Sequence, residues 1–145
     1  MRKLIFAISA LALATSASFA DPQEEREALM KANGRAMGAL SAYVKGEKPF
    51  DAADVLAQLN KISEDAQKMD AAMLWPAGSA TGNSESSPKI WEDPAGFQAA
   101  IDKFKTDAAA AAAAPPADVD ALKASMGAVG SNCGTCHEAF RIKKG

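Results

Sequence analysis

The chain has 145 residues, 48% of them hydrophobic, enough apolar material for one core and a single domain. With 16 Lys and Arg against 18 Asp and Glu, its net charge is −2 and no basic cluster stands out. That balance argues against nucleic acid or anionic lipid as a partner.

Arg2 and Lys3 open the chain, Leu4 to Ala14 form an apolar run broken only by Ser9, and Ser18-Phe19-Ala20 puts small residues where a signal peptidase cuts. These features predict a secretory signal over residues 1–20, which delivers residues 21–145 to the periplasm of a bacterial cell. Arg2 and Lys3 leave with it, so the net charge moves from −2 to −4. After Ala20 no apolar stretch is long enough to cross a bilayer, so no membrane insertion is expected.

Helical periodicity then dominates, and strand signals are nearly absent. Met30, Asn33, Met37, Leu40 and Val44 recur at spacings of three and four, and Gly46 and Pro49 close that segment. Asp51 is a natural N-cap for a second helix carrying Val55, Leu59, Ile62, Ala66, Met69 and Met73. Leu74 to Asp93, rich in Pro, Gly and Ser, reads as a long loop. Asp93-Pro94 starts a third helix with Phe97, Ile101, Phe104, Ala108 and Ala111, which Pro115-Pro116 ends. The last segment sets Val119, Leu122, Met126, Val129, Cys133, Cys136 and Phe140 on one stripe. Four amphipathic stretches joined mostly by short links predict an all-α, antiparallel, up-down-up-down four-helix bundle.

Cys133-Gly134-Thr135-Cys136-His137 carries the chemistry. Two thiols three residues apart can each join one vinyl group of a haem, and the following histidine then becomes an axial iron ligand. His137 is the only histidine. A zinc site would want further Cys or His ligands, a thioredoxin-like redox pair would want a βαβ unit, and a disulfide closing so small a loop would restrain the unfolded chain little. One covalent haem c is the reading that remains.

The sequence resembles the cytochrome c′ family, the class II c-type cytochromes, along essentially the whole segment after Ala20. The resemblance rests on Arg26-Glu27-Ala28-Leu29-Met30-Lys31, on Val44 to Asp51, on Pro88-Lys89-Ile90-Trp91, and on Cys133 to Arg141. The first block is most similar to the low-spin branch, in which a methionine of the first helix is the sixth iron ligand. That implies Met30. In the high-spin branch the same position packs over the iron without bonding to it, so both roles stand. The bundle topology offers a separate check. His137 lies roughly 9 Å from the end of the last helix and Met30 roughly 10 Å into the first, which makes them level, while Met37 lies ~10 Å further along.

Arg26 and Arg141 are candidates to pair with haem propionates, or else solvated charges. Trp75, Trp91, Phe97 and Ile101 are expected to line the pocket. Gly34 and Gly38 allow a close approach to the first helix by a haem edge or another subunit. With two axial ligands the expected activity is one-electron carriage between redox partner proteins, by a monomer or homodimer that is not an enzyme. The alternative is a five-coordinate haem protein that binds nitric oxide or carbon monoxide.

Overall fold

The computed structural model describes residues 21–142; the expected signal segment lies outside them. Six helices follow in order: α1 Pro22–Val44, α2 Ala52–Gln67, α3 Ala71–Leu74, α4 Lys89–Glu92, α5 Pro94–Ala113 and α6 Val119–Phe140. The only β pairing among the described residues is an isolated antiparallel bridge between Ser86 and Arg141.

The starts of the long helices share one chemistry. Asp21, Asp51, Asp93 and Asp118 each turn a carboxylate onto a free amide of the first turn, at 2.8 Å for Gln23, 2.9 Å for Ala53, 3.0 Å for Gly96 and 2.8 Å for Ala121. Pro22 and Pro94 sit at first-turn positions where no amide is needed. Gly46, at φ 72°, ends α1 with the amide of Glu47 on the carbonyl of Ala42 at 2.9 Å. A side chain there would be strained in the left-handed region.

The four long helices form the expected bundle. α1 packs on α2 and α6, and α5 packs on the same two. α1 and α5 stand diagonally, as do α2 and α6, with no contact between them among the described residues. Leu40, Val55, Leu59, Ile62, Leu122 and Val129 fill the centre and are almost wholly buried.

Three expectations shift. The buried stripe of α1 is Arg26, Leu29, Asn33, Ala36, Leu40 and Tyr43, so it is turned from the predicted one. Leu29, Ala36 and Tyr43 take the core, while Met30 stands 37% exposed and Met37 and Val44 are half-buried on the flank. Met73 does not continue the face of α2: the helix ends at Gln67, Asp70 caps a separate turn through the amide of Met73 at 2.9 Å, and Met73 is exposed. The stretch read as loop from Leu74 to Asp93 contains the turn α4, anchored by buried Ile90.

Candidate haem site

At the end of the bundle where α1 begins and α6 finishes, a cavity of about 580 Å³ opens. That lies within the range of small-molecule and cofactor sites, roughly 300–1,000 Å³. α1 contributes Arg26 and Met30, α6 contributes Cys136, His137 and Phe140, and Trp75, Ile90 and Phe97 complete the apolar wall. Trp75, Phe97 and Phe140 pack edge to face in a row, with centroids 4.9 and 5.1 Å apart.

The capped start of α1 and the finish of α6 fall side by side because adjacent bundle helices are antiparallel. Met30 and His137 therefore line the same cavity. Cys136 faces it as well. Cys133, one turn earlier, is half-buried against the core with its thiol 3.9 Å from the carbonyl of Val129 and is not part of the cavity wall. No disulfide joins the two cysteines. Burial pushes both thiol pKa values up, and Cys133 adds to the effect on Cys136, so both stay protonated. Burial, then the positive charge of Arg141, pushes His137 below its ordinary value. Its imidazole is held neutral, the form that binds a metal.

Arg26 is buried, and burial lowers its pKa against the raising effects of Asp21 and Glu27. Its guanidinium donates to the carbonyl of Leu74, to Ser79 Oγ at 3.0 Å and to the carbonyl of Ser79 at 2.9 Å, and lies 5.7 Å from the Trp75 ring centroid. Arg26 thus ties the chain after α3 to α1 while facing the cavity. Arg141 also lines the cavity and is ion-paired to Glu85.

That pair belongs to a wall that no motif or spacing announces. Residues 83–86 line the cavity, and besides the ion pair residues 85–87 are fastened by two backbone bonds to the end of α6 and by one side-chain bond to Trp75. The amide of Ser87 donates to Phe140 at 3.0 Å, the amide of Ile142 to Glu85 at 2.8 Å, and Trp75 Nε1 to Ser86 Oγ at 3.2 Å. No motif marks such a strap, since its bonds are mostly backbone. Gln23, Glu27 and Lys31 were also missed; spaced four apart on α1, they edge the opening, with Lys31 3.3 Å from Glu27. Spacing alone made that row visible, but charged rows on helices are usually just solvated.

Of the aromatic and aliphatic residues expected in the pocket, Trp75 and Phe97 line it and Trp91 and Ile101 do not. Ile101 lies one turn deeper along α5 in the core, and Trp91 turns its Nε1 to the carbonyl of Trp75 at 3.0 Å. Gly34 and Gly38 are exposed, and a Cβ on either would meet nothing within 4 Å.

The donor set fits a haem. A protonated thiol, a neutral imidazole and a thioether from two adjacent helices line an aromatic cavity, with the second thiol one turn away on α6, and among the described residues no group of three His, Cys, Asp or Glu could hold a bare metal ion. Fold and site together define a four-helix-bundle protein of the c-type haem class.

Comparison with known proteins narrows that class. The sequence model described as Cytochrome C′ matches residues 21–141. A cytochrome c-556 of Agrobacterium fabrum is 46% identical over 121 residues, covering 83% of this chain and 81% of that one. A cytochrome c-556 of Rhodopseudomonas palustris is 41% identical with both chains covered in full. The solved structure of cytochrome c′ from Rhodopseudomonas palustris superposes with a TM-score of 0.80 at 40% identity, covering 88% of this chain and 100% of that one. The chain belongs to the cytochrome c′ family. It is a c-type cytochrome with covalent haem c, and its work is one-electron transfer.

Proposed function

We propose that the protein is a periplasmic one-electron carrier whose haem iron is held between His137 and Met30, with Cys133 and Cys136 as the covalent anchors and residues 1–20 as the cleaved signal. The observation that carries this reading is the placement of Met30 and His137 on the wall of one cavity from two adjacent helices.

Each residue has a distinct task. Cys133 and Cys136 would hold the haem covalently, each adding its S–H across one vinyl group, an addition in which nothing leaves and no electrons are exchanged. His137, held neutral, would offer its ring nitrogen to the iron without first losing a proton. A bound haem supplies the one-electron iron couple, and thioether ligation favours its reduced form. Trp75, Phe97 and Phe140 exclude water from the cavity wall. Arg26 and Arg141 stand at the cavity with guanidinium groups suited to propionates, Arg26 through donors beyond those that hold Leu74 and Ser79. No helix among the described residues is long and apolar enough to cross a membrane, which suits a carrier that diffuses between redox proteins.

The test is the spin state of the oxidised protein. Wild type should be low-spin by absorption and EPR and bind carbon monoxide weakly when reduced, whereas Met30→Ala should become high-spin and bind it readily. Met37→Ala is the control, since Met37 Cε packs toward Gly130, 3.6 Å from where a Cβ would stand. A wild-type protein already high-spin would replace electron carriage by the gas-binding alternative.

A further inference from the structure

Asn33 is buried on α1, 7% exposed, and neither its amide oxygen nor its amide nitrogen has a hydrogen-bond partner. A carboxamide orphaned on both sides is destabilising, and such groups persist where something other than packing needs them.

Its place suggests what that is. Arg26, Met30 and Asn33 stand at i, i+4 and i+7, one row along a helix face. The first two line the cavity, so Asn33 is the inner end of that row. The register with α6 agrees. Met30 shares the cavity with His137, and two turns further along α1 Met37 Cε meets Gly130, two turns back along α6. Interpolation sets Asn33 level with Cys133 and Gly134, beside the inner of the two attachment cysteines. Helical side chains lean toward the N-terminus of their helix, which inclines the carboxamide toward Met30. Met30 in turn is a long, adaptable side chain at the cavity, 37% exposed.

We propose that Asn33 is a positioning residue for Met30: its Nδ2–H donates to Met30 Sδ when that thioether bonds the iron, and holds it in the ligating rotamer. The proposal rests on the reading of Met30 as an axial ligand. A thioether is a weak acceptor, but buried Asn33 has no competing acceptor within the chain.

The experiment compares ferric wild type, Asn33→Leu, Asn33→Ala, Met30→Ala and the double variant Met30→Ala/Asn33→Leu, all with haem attached. Imidazole is titrated as a competitor for the Met30 position, and the spin state and melting curve are recorded for each. Asn33→Leu should bind imidazole about tenfold more tightly than wild type, one hydrogen bond's worth, and melt no lower. Met30→Ala and the double variant should bind it alike, because Asn33 then has nothing to hold. Wild-type imidazole affinity in both Asn33 variants would overturn the proposal, and so would the same tenfold gain in the Met30→Ala background. Failure of both Asn33 variants to fold would also overturn it, since a bond to one thioether cannot support the fold. Wild type and Met30→Ala alike in spin state and affinity would instead sink the ligation of Met30, and this inference with it.

Discussion

The two ends of the bundle are built on opposite principles. At the end where α1 turns into α2, Asp54 accepts from Tyr43 at 2.6 Å, from Lys48 at 2.9 Å and from Gln58 at 2.9 Å. Lys48 Nζ lies 3.9 Å from the Tyr43 ring centroid, and Tyr43 stands edge-on to Phe50. The polar side chains of this cluster find their partners within a few residues of the turn. At the cavity end Met30 is partly exposed, Cys133 and Cys136 are half-buried, and Asn33 has no partner within the chain. Its walls are joined across long sequence separations, α1 to Ser79 and α6 to Glu85. One end is complete in its own side chains. The other is arranged around a group the chain does not itself contain, and part of its stability must come from that group.

The largest effect should follow from breaking the second principle. No other side chain can replace the neutral nitrogen of His137, so His137→Ala should abolish most haem attachment. In chain without haem, amide exchange should be fast in residues 83–86 and the last turns of α6, and slow in α2. Mass spectrometry reads the first result and hydrogen exchange the second. Uniform protection along the chain would mean that the cavity end is as self-sufficient as the other.

A second comparison separates stability from function. Leu40, fully buried on α1 toward the complete end, should cost about 2–5 kcal/mol when replaced by alanine, with an unchanged absorption spectrum. Met30→Ala should do the reverse. Its partial exposure leaves less burial to lose than a core methionine has, while the spectrum should change outright. Thermal melts and oxidised spectra of both variants decide it, and equal effects on both readouts would erase the distinction between the ends.

The same contrast explains what the sequence made legible. The bundle, its caps at Asp51 and Asp93, and the attachment motif are local: each depends on residues within one or two turns, and each appears as a spacing. The rotation of the α1 stripe was not local. Met30 and Met37 fit the three-four pattern as well as Leu29 and Ala36 do, and only packing between α2 and α6 decides which row goes inside. The strap over the cavity was invisible because it is held by backbone bonds and one ion pair across some fifty residues. Residue count puts Trp91 and Ile101 near the cavity end, but Ile101 lies one turn too deep along α5 to reach the wall. The pairing of Met30 with His137 in one cavity was readable because helix rise converts residue counts into height.

The smallest effect concerns the complete end, and pH is the lever. Tyr43, Gln58 and Lys48 all bond the charged carboxylate of Asp54 and hold its pKa well below the ordinary carboxylate range. A depressed folded value stabilises the native state above the unfolded pKa, about 3.9, and that contribution fades as pH falls below it. Tyr43 is shifted upward, chiefly by its bond to Asp54 and then by burial, and Lys48 upward by its bonds to Asp54 and Tyr43. Raised values work in the opposite sense: their contribution is whole below about pH 10 and is lost as pH rises through the folded values. The melting temperature should therefore hold a plateau across neutral pH and fall on both sides of it. Asp54→Asn should lower the plateau by a few degrees and flatten both limbs, because the same carboxylate underlies both. Asp107, lowered by its bonds to Asn132 and Lys103, leaves a residual acid limb in that variant. Melting curves from pH 3 to 11 on the haem-loaded protein test this, and an Asp54→Asn profile parallel to wild type would show that the cluster holds the turn by packing rather than by charge.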